Sequence, residues 1–153
     1  MTVTAFYNRM AGDWRGTCNL WFGPGEPVRT CDTEARVRAI AGDAYHLMTY
    51  RWVFEGEAKE GALFLGGHEE AATATWGDSW HMAPDPMVCQ GLLEDGGAKL
   101  VFPGNYPTGP DTPDWGWRTE LTWVDGDGLI MEAYNITPEG EEAIAVRAEY
   151  RRA

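Results

Sequence analysis

Turn signals interrupt the chain about every ten residues, and this spacing limits the possible folds more than any other feature. The breaks combine Gly with acidic or small residues, as in AGDA at 41–44, EDGG at 94–97 and DGDG at 125–128. Between the breaks, apolar residues mostly alternate with polar ones, in runs rich in Val, Ile, Thr, Trp and Tyr. These runs predict ten strands, near 14–22, 32–40, 45–54, 61–68, 73–82, 88–93, 98–102, 116–124, 129–136 and 143–151. The pattern indicates an all-β protein, either a sandwich or a barrel.

Short links between nearly all neighbouring runs favour an antiparallel up-and-down meander that closes into a barrel, because closure removes exposed strand edges. The 153 residues suffice for one domain with a core, so a single barrel domain over 1–153 is expected. A short N-terminal helix is predicted at 2–11, where Phe6 and Met10 are four residues apart. The proline-rich stretch at 103–115 predicts a long loop that no strand crosses.

Two turns predict how neighbouring strands pair. A turn centred between Gly42 and Asp43 places small residues opposite large ones and points the ring-rich face inward. The resulting pairs are Thr33 with Trp52, Ala35 with Tyr50, Val37 with Met48 and Ala39 with His46. The same reasoning at 125–128 gives the pairs Trp123 with Ile130, Leu121 with Glu132 and Thr119 with Tyr134. Glu132 and Tyr134 are therefore expected to point into the barrel.

The segment TWGDSWHM at 75–82 places an Asp, a Ser and a His within four positions. If it is one continuous strand, alternation puts Ser79 and His81 on one face and Asp78 on the other. Asp78 then cannot orient His81, so a Ser-His-Asp triad is not expected. The face that carries Asp78 would also carry Trp76, Trp80 and Met82, a plausible wall of a cavity.

Composition narrows the set of partners and compartments. The formal net charge of −12 repels phosphate groups, so neither nucleic acid nor a membrane surface is an expected partner. The N-terminus lacks the pattern of a signal peptide, and no run approaches the length of a membrane helix. Three cysteines without a C-x-x-C motif indicate a reduced, cytoplasmic protein. The three histidines are not expected to converge, so no metal site is predicted.

The first strand opens with Gly12-Asp13-Trp14-Arg15-Gly16. The last two strands contain the run MEAYNITPEGEEAIAVRAEYRR at 131–152. Together they resemble the lipocalin-like, or calycin, barrels, and one bacterial family of unknown function among them. The resemblance implies that Trp14 packs across the closed end of the barrel. The layout is also similar to that of nitrobindin, a haem-binding barrel whose axial histidine lies late in the chain. No histidine follows His81 here, so no cofactor is expected.

The leading functional hypothesis is non-enzymatic binding of a small, largely apolar molecule in the barrel cavity. Eight tryptophans exceed what closing a barrel requires, and small-molecule sites are mostly apolar pockets with a few polar groups. The candidate ligand-binding residues are Tyr50, Trp52, Trp76, Asp78, Trp80, Arg118, Glu132 and Tyr134.

Two alternatives to ligand binding stay open, and no catalytic residue is assigned. The first is a barrel enzyme that uses Glu132 and Tyr134, with Arg118 nearby, for acid–base chemistry on a small aromatic acid. Phenolic acid decarboxylases, which share the calycin barrel, use inward Tyr, Arg and Glu in this way, and this chain is similar to them in residue types. The second is a filled barrel that acts only as an interaction module. The sequence is also compatible with a homodimer.

Overall fold

Ten antiparallel strands follow one another around a closed barrel in the computed structural model, which describes residues 1–153. Each strand pairs with its neighbours in the chain, and β1 pairs with β10 to close the ring. The elements are α1 (Val3–Met10), β1 (Gly12–Leu20), β2 (Arg29–Ile40), β3 (Tyr45–Phe54), β4 (Glu57–His68), β5 (Ala71–Asp78), β6 (Met82–Glu94), a 3₁₀ turn (Asp95–Gly97), β7 (Lys99–Tyr106), β8 (Trp115–Val124), β9 (Gly128–Ile136) and β10 (Glu142–Arg152). The predicted fold class, an up-and-down barrel with one short N-terminal helix, is confirmed.

Helix α1 seals one end of the barrel, which we call the closed end. The hydroxyl of Thr2 accepts a hydrogen bond from the N–H of Ala5 and so caps the helix. Tyr7 donates through its hydroxyl to the carbonyl of Gly66 on β4, at 3.0 Å. The Nε1–H of Trp14 donates to the carbonyl of Met10, at 2.9 Å, so this buried ring packs directly under the helix. No helix in the structure is both long and apolar enough to span a bilayer.

The register predicted for β2 and β3 is confirmed at all four pairs, from Thr33 with Trp52 to Ala39 with His46. The four-residue turn at 41–44 is centred where the sequence indicates. Thr33, Ala35, Tyr50 and Trp52 are all buried, as expected for the inward face of this hairpin.

The register predicted for β8 and β9 is wrong by one residue. The turn between these strands contains three residues, 125–127, because Gly128 already pairs with Val124. Both Gly126 and Asp127 take positive φ there, at 71° and 64°. A shift of one residue moves every side chain of a strand to the opposite face. Glu132 and Tyr134 therefore point outward, and their neighbours Met131 and Ala133 point inward.

Strand β7 also differs from the prediction, since it continues to Tyr106 through Pro103 and Gly104. The ladder between β6 and β7 ends at the pair of Leu92 with Val101. Pro103 lies beyond that pair, where β7 is hydrogen-bonded on the β8 side only. A strand with one free side tolerates a proline, because no ladder hydrogen bond is lost there.

Candidate functional site

Six side chains meet inside the barrel at the end opposite α1, which we call the mouth. They come from β3, from β5 and the turn that follows it, and from β8. We call this group the aromatic site, and it consists of Tyr50, Trp52, Trp76, Asp78, His81 and Trp117. The indole rings of Trp76 and Trp117 are stacked, with centroids 5.3 Å apart and planes 8° apart. Three indoles, a phenol, an imidazole and a carboxylate thus share one end of the interior.

Asp78 is the hydrogen-bonding centre of the aromatic site, and its side chain is 1% exposed. One carboxylate oxygen, Oδ2, accepts from the hydroxyl of Tyr50 at 2.8 Å and from Nε1–H of Trp52 at 3.3 Å. The other, Oδ1, accepts from the backbone N–H groups of Trp80 at 2.7 Å and His81 at 3.1 Å. Asp78 therefore joins the side chains of the interior to the turn at 79–81.

These contacts determine the ionisation of the site. Burial by itself raises the pKa of Asp78, but the imidazole of His81, the N–H of Trp80 and the Tyr50 hydroxyl together bring that pKa below its usual value. Burial, and then the negative charge of Asp78, hold the pKa of Tyr50 well above its usual value. At neutral pH, Asp78 is thus a carboxylate and Tyr50 a neutral hydrogen-bond donor.

His81 lies within the ring of indoles. Its ring centroid is 5.8 Å from that of Trp52, 5.9 Å from that of Trp76 and 5.5 Å from that of Trp117. Its Nδ1 lies 3.3 Å from Oδ1 of Asp78, but no aligned hydrogen bond reaches that nitrogen. The imidazole is held by ring contacts and by its position beside Asp78, and its side chain is 22% exposed.

The expectation that Asp78 cannot reach His81 is therefore wrong. Strand β5 ends at Asp78, and residues 79–81 form a turn in which side chains no longer alternate. A triad is still not assembled, because the Ser79 hydroxyl accepts a hydrogen bond from the N–H of Glu60 on β4 instead of approaching His81.

The space that remains inside the barrel beside the aromatic site is small, about 30 Å³. A water molecule needs about 10–15 Å³ of such space, so at most two or three waters fit and a larger molecule does not. Apolar side chains form most of the lining, and Thr33, Thr119 and Tyr150 add hydroxyl groups. The interior is thus nearly filled when the turn at 79–81 is in the observed position.

Contrary to the prediction, Trp80 does not line the cavity. It lies in the turn, is 41% exposed, and packs at the mouth against Phe54, with ring centroids 4.3 Å apart, and against Phe22 at 6.3 Å. The ammonium group of Lys59 lies 5.5 Å from its ring. Trp80 therefore belongs to an exposed aromatic rim around the mouth.

Arg118, Glu132 and Tyr134 are on the outer surface and do not join the aromatic site. The guanidinium of Arg118 lies 4.7 Å from the ring of Tyr134 and donates to Glu120 at 2.7 Å. Glu132 accepts a hydrogen bond from Arg147. The acid–base alternative placed Glu132 and Tyr134 in the interior, and the structure removes both from it.

Sequence reasoning missed His81 and Trp117 as members of the site. The signal for His81 was Asp78 itself. An Asp side chain often accepts hydrogen bonds from the backbone N–H groups that follow it, which ends a strand in a turn, and such a turn brings His81 back to Asp78. Trp117 would have followed from the correct β8–β9 register, which turns residues 117, 119, 121 and 123 inward.

No group of three or more His, Cys, Asp or Glu side chains in the structure could hold a metal ion. His46 lies at the closed end, where its Nε2 is 3.0 Å from Oδ1 of Asn8. It is therefore far along the barrel from His81.

Comparisons with known proteins show a family and a fold. The sequence model of a family described as "Protein of unknown function (DUF1579)" matches residues 4–152. No curated protein matches the chain significantly. The crystal structure of Rv2717c from M. tuberculosis is similar, with a TM-score of 0.67 and 13% identity, over 95% of this chain and 93% of that one. The S-type phycobiliprotein lyase CPES from Guillardia theta has a TM-score of 0.64 and 16% identity, over 100% of this chain and 93% of that one. The shared fold is a calycin-like barrel.

Proposed function

The chain belongs to the family described as protein of unknown function DUF1579, and from this premise we propose that it binds a small, largely apolar molecule non-covalently at the aromatic site. A calycin-like barrel is an architecture that can enclose a ligand. The fold alone does not assign a function, so the proposal depends on the residues at the mouth.

The observation that carries the proposal is a buried carboxylate next to unfilled space. The side chain of Asp78 is 1% exposed and adjoins the cavity of about 30 Å³. Burying a charge is costly, and apolar residues of similar size usually stabilise a core at least as well. A carboxylate surrounded by indoles is therefore better explained as a recognition group than as packing.

The observed cavity is too small for most organic molecules, so binding requires a movement. The turn at 79–81 is the element that can move, since it covers the mouth and lies on the surface. Helix α1 closes the other end with fully buried side chains. Displacement of His81 would add the volume of an imidazole ring to the cavity and open it to solvent.

Tryptophan fluorescence tests the proposal directly. A panel of small apolar molecules is titrated into the protein, and at least one is expected to quench emission saturably. Trp117→Leu removes a wall of the aromatic site and should weaken that binding by about 1–3 kcal/mol.

Trp123→Leu is the matched control, because Trp123 is on the same strand and the same inward face but packs against Phe6 at the closed end. It should lower stability and leave the affinity unchanged. Native mass spectrometry of freshly purified protein provides a second readout through a co-purified small molecule. If no molecule quenches the emission saturably and no small molecule co-purifies with the protein, the results favour the filled barrel that acts only as an interaction module.

A further inference from the structure

We propose that the ligand of the aromatic site is an organic cation, a substituted ammonium or a protonated nitrogen heterocycle, and that the imidazole of His81 occupies its place in the unliganded protein. This inference rests on the proposed function and adds the chemical class of the ligand.

The aromatic site places indole rings and a carboxylate at distances that suit a bound cation. Cations are attracted to the faces of aromatic rings when they lie within about 6 Å of the ring centroid, and tryptophan is the strongest partner. The position now held by the His81 ring lies 5.5–5.9 Å from the ring centroids of Trp52, Trp76 and Trp117. Because Trp76 and Trp117 are stacked on each other, at most one of these two presents its face to that position, and Trp52 is the other ring within reach. The carboxylate of Asp78 lies 3.3 Å from the same ring. Indole rings and one carboxylate thus surround a single position.

The charges of the interior favour a cation over an anion. Among the residues that line the cavity, Asp78 is the one carboxylate and His81 the one basic side chain. A ligand that displaces His81 therefore meets a negative site with no compensating base. The available indole N–H groups are already used, since Trp52 donates to Asp78, Trp76 to Tyr50 at 2.7 Å and Trp117 to Thr119 at 3.2 Å. An anionic ligand would find no positive charge and no free indole N–H.

His81 is held in a way that permits displacement. Its Nδ1 makes no aligned hydrogen bond, and its backbone belongs to the turn at 79–81 and not to a strand. Turning this side chain outward exposes the three indoles and Asp78 without breaking a strand pair.

The basic residues at the rim do not oppose an approaching cation strongly. Lys59 is paired with Glu57 at 2.8 Å, and Arg29 with Glu55 at 3.4 Å. The whole chain carries a net charge of −12, which attracts cations over longer distances.

Choline and its neutral isostere 3,3-dimethyl-1-butanol provide the test, because they differ in one atom and in charge. Each is titrated into wild-type protein and into His81→Ala, and binding is followed by tryptophan fluorescence. Choline should bind at least about tenfold more tightly than the alcohol, as expected for a desolvated cation beside aromatic rings. His81→Ala should increase the affinity for choline by about tenfold, because the competing ring is gone. His68→Ala, an exposed histidine at the end of β4, is the matched control and should change neither affinity.

Asp78→Asn extends the test by removing the charge. It should reduce the preference for choline, because only the attraction of the indoles for the cation remains, and it should leave the affinity for the alcohol unchanged. If this variant does not fold, the choline-to-alcohol ratio in wild type and His81→Ala still decides the matter. Equal affinities for the two probes would overturn the cation assignment and leave small-molecule binding intact. No binding of either probe to either protein would overturn it as well, and the panel of apolar molecules would then decide whether the proposed function also fails.

Discussion

Replacing Asp78 is expected to destabilise the fold by an amount that can be worked out from its four hydrogen bonds. In Asp78→Ala the hydroxyl of Tyr50 and Nε1–H of Trp52 lose their acceptor while both residues remain buried. Each buried donor without a partner costs about 1–3 kcal/mol. The two N–H groups of the turn can reach water, so they add little. The expected loss is therefore about 2–6 kcal/mol, which most domains of this size survive.

Asp78→Asn should cost less, because its amide oxygen can replace Oδ1 and keep the two backbone hydrogen bonds of the turn. Its amide nitrogen can donate to the Tyr50 hydroxyl, but it offers no acceptor to the Tyr50 O–H or to Nε1–H of Trp52, so both of these donors are left unpaired. The retained turn and the added hydrogen bond should make the loss about 1 kcal/mol smaller than that of Asp78→Ala. Urea unfolding followed by tryptophan fluorescence measures both variants, with the exposed Asp85→Asn as control. If Asp78→Ala were as stable as wild type, the central role of this carboxylate would be refuted.

The pH dependence of the free energy of unfolding provides an independent test of the role of Asp78. Asp78 has a lower pKa in the folded state than in the unfolded chain, so its contribution is fully present above about pH 4. It is lost as the pH falls below 4 through the folded-state pKa, where the carboxylate becomes protonated. The stability difference between wild type and Asp78→Asn should shrink over that range.

Three further predictions concern stability and are measured by the same unfolding assay. Burial lowers the pKa of His46, so the wild-type protein should lose stability as the pH falls below about 6.5. His46→Gln should flatten the dependence of the free energy of unfolding on pH between about pH 7 and 5, and an unchanged slope would contradict this. Gly61→Ala would place a methyl group inside the phenol ring of its cross-strand partner and should cost about 1–3 kcal/mol, whereas Gly77→Ala meets its nearest atom at 3.9 Å and should be nearly neutral. Trp14→Ala should cost about 3–5 kcal/mol and Trp80→Ala about 1 kcal/mol, because the first ring is buried and the second is 41% exposed; equal losses would argue against this placement.

The strand layout could be predicted from the sequence because the turns between strands are marked by Gly next to acidic or small residues, a combination that is uncommon inside strands and helices. The two turns used to assign register were interpreted alike, and one interpretation was wrong. AGDA at 41–44 is a four-residue turn, whereas Gly128 of DGDG belongs to β9. A Cβ at Gly128 would lie 2.6 Å from Cγ2 of Val124 and would displace the guanidinium of Arg151, so this glycine leaves room for neighbouring side chains and does not form the turn. A single sequence does not distinguish these two uses of glycine.

The candidate site was predicted in part for a related reason. Tyr50, Trp52, Trp76 and Asp78 lie together because strand alternation holds as far as Asp78. Beyond that residue the prediction assumed a strand, whereas the carboxylate binds the next two N–H groups and turns the chain. Because the Asp78 side chain turns the chain here, the ring of Trp80 lies at the rim and the ring of His81 lies in the site, the reverse of what continued strand alternation predicts.

The seal formed by α1 has a kinetic consequence. Val3, Phe6 and Met10 are completely buried, so the closed end cannot open without local unfolding. A ligand that enters the aromatic site is then expected to exchange with solvent at the mouth, where the turn at 79–81 covers the site. Opening residues 80–81 of that turn breaks the two backbone hydrogen bonds to Asp78, and moving Ser79 as well breaks two more with Glu60. Residence time in the barrel is therefore controlled by a local opening event, and the observed association rate should reach a plateau as the ligand concentration rises.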